Sequence, residues 1–188
     1  MIKLNHMMSS FARQVGDCCL ARDVRGVSAV EFALVLPLMV GLYLGLTEIS
    51  QAIAIDRKVT LTARALSDLA SQAPSTISNA DMTNILSAST SVMAPYVTTT
   101  LTVTVSAINI DSTGKATIGW SDTRGGTARS VGSSITIPSA LATPSSQLIL
   151  SEVSYGYKPA IGYTITGTLT MADKMYMTPR VNKITRTS

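Results

Sequence analysis

From Val27 to Thr47 the chain reads VSAVEFALVLPLMVGLYLGLT, 21 residues with a single charge, Glu31. An α-helix rises 1.5 Å per residue, so about 20 apolar residues cross a hydrocarbon core of ~30 Å. The run therefore predicts a transmembrane helix over 27–47. The remaining composition agrees with an anchor and not with one large core. Charged residues are 14% and aromatics 5% of the 188, against about 25% charged in ordinary soluble domains. Much of the apolar content lies between Val27 and Ile55, while the chain after residue 72 is rich in Ser and Thr.

Charge sets the expected orientation. Before Gly26 stand four basic residues, Lys3, Arg13, Arg22 and Arg25, against Asp17 and Asp23. A basic flank of this kind keeps the N-terminus in the cytoplasm, which puts the chain after residue 48 outside it. The remaining eleven basic and nine acidic residues are nearly balanced. No Lys/Arg cluster interleaved with aromatics appears, so no nucleic-acid partner is expected. A secretory signal peptide would have a shorter core followed by small residues at a cleavage site. Here the apolar run is long and helix-like sequence continues beyond it as EISQAIAIDRKVTLTARALSDLAS.

In that continuation Ile49, Ala52, Ile53, Val59, Ala63, Leu66 and Ala70 recur mostly at spacings of three and four, among Asp56, Arg57, Lys58, Arg64 and Asp68. This is the pattern of an amphipathic helix. One helix over 27–72 would be roughly 65 Å long, with a kink expected at Pro37, which lacks a backbone donor and clashes one turn back.

Glu31 is the anomaly in the run. A carboxylate held charged at a bilayer centre costs roughly 2.5–3.5 kcal/mol, less near the edge. No basic residue lies between Val27 and Asp56. Cleavage between Gly26 and Val27 would create a cation, the α-ammonium of Val27, and positions 27 and 31 share a helix face as i and i+4. The first turn of a helix also favours negative charge through the macrodipole.

The border RG–VSAVEF followed by an apolar run resembles the processing site of type IV-like prepilins. The longer stretch GVSAVEFALVLPLMVGLYLGLTEI is similar to the TadE-like pseudopilins of the tight-adherence (Tad, Flp) pilus system, at Gly26, Ala29, Val30, Glu31, Phe32, Ala33, Leu34, Pro37, Gly45 and Glu48. The strong part covers about 25 of the 188 residues. The resemblance implies a basic leader over 1–26, cut after Gly26 by a membrane prepilin peptidase, with Val27 as the new N-terminus and Glu31 fifth in the mature chain. It also implies packing against other pilins and pseudopilins, with Glu31, beside Phe32, meeting the N-terminal amine of its own or a neighbouring chain. The expected place is the inner (cytoplasmic) membrane, in contact with its lipid, with incorporation into the filament as the further option. The competing reading is an uncleaved single-pass anchor carrying an extracytoplasmic binding domain. Less favoured is an anchored enzyme.

For the outer part, 73–188, the expectation is an α+β domain with a short helix and an antiparallel sheet, the pilin-like layout. Ser78–Asp81 has the form of a capping box opening a helix over Asn79–Met93, stopped by Pro95. Strands are expected in YVTTTLTVTVSAINI, KATIGW, QLILSEVSYGY and YTITGTLTMADKMYM, with a turn at DSTG. Residues 121–146 read as a connection with one short strand at 134–137. EVSYGYKP and YMTPRV resemble, less closely, segments near the end of longer TadE-like proteins, although Thr178 stands where the family often has a basic residue. Tyr155, Tyr157, Tyr163, Tyr176 and Trp120 are expected to pack in the sheet.

Both cysteines, Cys18 and Cys19, and the one histidine, His6, precede Gly26. Imidazole and thiolate catalysis and the usual zinc sites thus have no residues after the border. STGKA lacks phosphate-loop spacing, and DSTGK does not give the Asp-x-Ser-x-Ser metal motif of TadG-like relatives. Asp111, Asp122, Glu152 and Asp173 are scattered. No catalysis, cofactor or metal is expected.

Overall fold

The computed structural model describes residues 25–160 and 167–187. Helix α1 spans Arg25–Ser71 and runs through Pro37. Strand β1 (Thr76–Ile77) and helix α2 (Asn79–Met93) follow. Then come β2 (Leu101–Ile110), β3 (Ala116–Arg124), a 3₁₀ turn at Ser139–Leu141, β4 (Gln147–Tyr157), β5 (Leu169–Met177) and β6 (Thr185–Arg186). The four long strands form an antiparallel sheet in the order β3-β2-β4-β5, and β1 pairs with β6 in parallel. The architecture is α+β, as the sequence predicts. Compactness divides the chain between Leu46 and Thr47.

In the first unit the helical residues from Gly26 to Gly41 are all exposed, including Val30, Phe32, Leu34, Leu38 and Met39. Twelve large apolar side chains between Val27 and Leu46 are exposed. Full burial of each is worth about 1.5–3 kcal/mol, so this surface demands an apolar surrounding.

The second unit begins at Thr47 and is built on the rest of α1. Its buried face is Ile55, Val59, Ala63, Leu66 and Ala70, spaced by three and four. Ile49 and Ile53 fall outside that face and are exposed, Ile53 at 51% against 1% for Ile55. This corrects the sequence expectation. Ile53 fits a helical period, but at about 100° per residue only one of the overlapping stripes faces the sheet. The face is narrow and carries small residues, so the backbones come close. Ser151 of β4 donates from Oγ to the Ala63 carbonyl at 2.6 Å, and Ser67 donates to Ala63 O at 2.9 Å and Met175 O at 3.3 Å. The buried hydroxyl of Thr62 bonds back one turn to Lys58 O at 2.8 Å. Such bonds make a polar atom tolerable inside.

Alternation explains the sheet. Val103, Val105 and Ala107 of β2, Ile149 and Val153 of β4, and Trp120 of β3 share the core with α1. A register shift between Ala107 and Ile108 marks a bulge. Ile108, Ile110, Ile118, Leu148 and Leu150 form a second cluster covered by Ile135, Ile137 and Leu141. The DSTG turn is held by Asp111, whose Oδ1 accepts from Thr113 N, Thr113 Oγ1 and Lys115 N at 2.6–2.9 Å. Gly114 supplies the positive φ of 85° that disfavours a side chain.

Helix α2 starts as predicted. Ser78 Oγ accepts from Asp81 N at 3.2 Å while Asp81 Oδ2 accepts from Ser78 N at 3.2 Å, a reciprocal capping box. It ends at Met93 because Ala94, preceding Pro95, adopts an extended ψ of 139°. Two expectations change. Strand β3 continues through Ser121–Arg124, which the Gly/Ser/Thr-rich composition had assigned to a connection. Residues 134–137 form no strand, only a single bridge from Ser134 to Thr117. The start of the last predicted strand, including Tyr163, lies outside the described residues.

Candidate functional site

The sequence singles out the border of the apolar helix. Arg25 opens α1, so the Gly26–Val27 peptide lies in its first turn. Among the described residues, a Cβ built on Gly26 would meet nothing within 4 Å. Val27, Glu31 and Phe32 are exposed, and Val27 and Glu31 stand one turn apart on one helix face. Counted from Arg25, Glu31 falls in the second turn, and the first turn carries no acid. The macrodipole argument for Glu31 therefore belongs to a chain that begins at Val27. The ion pairs Arg129–Glu152, Lys174–Glu152, Arg180–Asp68 and Arg186–Asp122 brace the second unit, and Glu31 is in none of them. Pro37 is accommodated within a continuous helix. His6, Cys18 and Cys19 lie outside the described residues.

The border thus joins an open glycine, a carboxylate one turn on, and a surface that needs an apolar surrounding. Were the Gly26–Val27 peptide cut, the new α-ammonium would stand one turn from the Glu31 carboxylate. Asp68, Asp81, Asp111, Asp122 and Glu152 of the second unit have structural partners. Glu152 accepts both guanidinium nitrogens of Arg129, at 2.7 and 2.8 Å, and pairs with Lys174 at 3.2 Å. Asp122 accepts Arg186 in the same two-pronged way, at 2.8 and 2.9 Å. Asp111 is engaged in its turn, and these bonds hold its carboxyl below the usual carboxylate range. Tyr155, Tyr157 and Trp120 are buried as expected of sheet residues, and Tyr176 packs against the second cluster.

Two features escaped the sequence reading. The C-terminal segment is strapped to the start of the unit: Arg180 N donates to Ser71 O, Thr185 N to Ser75 O and Thr187 N to Ile77 O. Inside the strap, Ile184 N donates to Gln147 Oε1 at 2.7 Å, and Ile184 O accepts from Trp120 Nε1 at 3.0 Å. Two-residue strands leave no period to detect. The second feature is a groove beside Tyr96, Tyr155 and Tyr157, whose alternate tyrosines in SYGY were the available signal.

Together these features define a small α+β domain carried by a helix long and apolar enough to cross a membrane. Residues 26–67 match the family model for TadE-like protein. The match begins at Gly26 and ends inside α1, so the resemblance seen in the border residues extends along the helix into the second unit. No curated protein and no solved structure matches the chain.

Proposed function

We propose that the chain is a TadE-like pseudopilin, a membrane-anchored structural component for assembly of a Tad-type pilus, with no catalysis of its own. The observation that carries this reading is the family match opening at Gly26, at the border between a basic segment and an exposed apolar helix. In this reading a prepilin peptidase cuts between Gly26 and Val27 and discards residues 1–26. The cut gives Val27 an α-ammonium one turn from Glu31. At an effective dielectric of about 20, two unit charges 4 Å apart attract by roughly 4 kcal/mol, enough to offset the cost of a carboxylate near the edge of the hydrocarbon. A pair of this kind sets register between helices more reliably than it adds stability. The partners are the peptidase, the lipid of the inner membrane, and the other pilins and pseudopilins of the machine, met through the exposed apolar face of α1. The domain after the span lies on the far side of the membrane from the basic segment.

N-terminal sequencing of the membrane-bound protein, from cells with and without the peptidase, tests the reading. The expected result is a chain starting at Val27 only where the peptidase is active. A chain that retains residues 1–26 in both cells overturns the processing claim and favours an uncleaved anchor with an extracytoplasmic binding domain.

A further inference from the structure

The second unit carries a groove of about 380 Å³ lined by Gln51 and Ile55 of α1, by Tyr96 and Val97 after α2, and by Tyr155 and Tyr157 at the end of β4. Tyr155 and Tyr157 are buried within its wall, Tyr96 is half-buried, and Val97 at its rim is 68% exposed. Burial, with Glu48, Tyr155 and Tyr96 nearby, raises the Tyr157 phenol above its ordinary value. The helical wall of this groove follows directly on the apolar run. Gln51 stands four residues beyond Thr47 and Ile55 eight, about 6 and 12 Å along a helix. The polar layer of a bilayer is roughly 5–8 Å deep on each side of the hydrocarbon. An anchor that spans at 27–47 therefore carries the lower wall of the groove into the headgroups. Ile49 and Ile53, exposed on the same turns of α1, give that level further apolar surface. Tyr96, half-buried at the rim, presents an apolar ring with a polar tip, the kind of side chain enriched at this depth.

We propose that the Tyr96–Val97 rim of this groove is a lipid-contact surface that seats the domain on phospholipid headgroups. The proposal rests on the membrane-anchor reading, and the test separates the two. Nitroxide labels are placed one at a time at Val97→Cys, Thr99→Cys, Val131→Cys and Leu38→Cys. The background is the full chain with Cys18→Ser and Cys19→Ser, reconstituted in vesicles of phosphatidylcholine and phosphatidylglycerol. Val131 is exposed and neighbours Gly132, which bonds to Ile118. Ile118 pairs with Ile108, seven residues along β2 from Leu101 and so about 23 Å from the groove end. Collision with oxygen reports lipid and collision with a water-soluble nickel chelate reports water. The expected result is a strong oxygen preference at 38, an intermediate one at 97 and 99, and nickel preference at 131. Lipid exposure at 38 with 97 and 99 indistinguishable from 131 overturns the seating and leaves the anchor standing. Nickel access at 38 overturns the anchor and the seating with it.

Discussion

The role proposed for Glu31 depends on a covalent event elsewhere, the proposed cut after Gly26. In the intact chain it is a carboxylate in the second turn of an apolar helix, without an ion pair among the described residues. The proposed cut after Gly26 would set it one turn from a terminal amine. Glu31→Ala is expected to abolish or sharply reduce pilus assembly while the thermal unfolding of the outer domain stays unchanged. Counting pili by electron microscopy, alongside a melting curve of the purified protein, checks both halves, and normal piliation would sink the assembly role. Asp111 is a different case, because its work is local. Its folded pKa is lowered below 3.8 by bonds from Thr113 and Lys115. A lowered folded pKa stabilises above the unfolded value, and that contribution is lost as pH falls through the folded one. The β2–β3 turn is therefore expected to loosen below about pH 3.8. The protection of the Gly114 and Lys115 amides, relative to their intrinsic exchange, should fall there in the wild type, whereas in Asp111→Ala it should be low already at neutral pH.

Among the elements, α1 carries two kinds of instruction in one continuous helix. Its first half presents apolar side chains in every direction, which suits lipid. Its second half presents one narrow stripe, which suits a sheet. Leu66, fully buried on that stripe, is expected to cost about 2–5 kcal/mol on truncation to alanine. Ile55→Asp should be at least as damaging, because a carboxylate would be buried without a partner, while Ile53→Asp should leave the domain folded. Denaturant titrations of the three variants in detergent, followed by the fluorescence of the one tryptophan, Trp120, measure this order. The helices and four long strands were legible from the sequence because each has a long local signal: the capping box of α2, the Val/Thr alternation of β2, the Asp-Gly turn after it. β3 was read short because Ser121, Asp122 and Thr123 look like loop residues. They are held in the strand from across the sheet, by Ser106 to Ser121 at 2.8 Å and Thr104 to Thr123 at 3.0 Å.

At the scale of the whole molecule, the second unit is closed by its own C-terminus. Gln147, buried near the end of the sheet, accepts the amide of Ile184 and donates to its carbonyl and to Asn109. Truncating it leaves buried backbone groups unpaired, at about 1–3 kcal/mol for each. Gln147→Ala is thus expected to release residues 180–187. The release should appear as faster exchange of the Ile184 amide and a red shift of Trp120, whose indole donates to the same carbonyl. An unchanged exchange rate would show that Arg186 and the β1–β6 pairing hold the strap alone.

The sequence by itself determined a helix long and apolar enough to cross a membrane and the existence of nearly every long element, and it marked Gly26, where the family match opens. Those signals are carried by neighbours within a turn, a strand or one bilayer thickness. Only the tertiary structure decided which stripe of α1 is buried, that the C-terminus returns to Ser71 and Ile77, and that three tyrosines from distant segments meet beside Gln51. These depend on pairings across as many as 112 residues, where each residue's local pattern allows several partners and packing selects one.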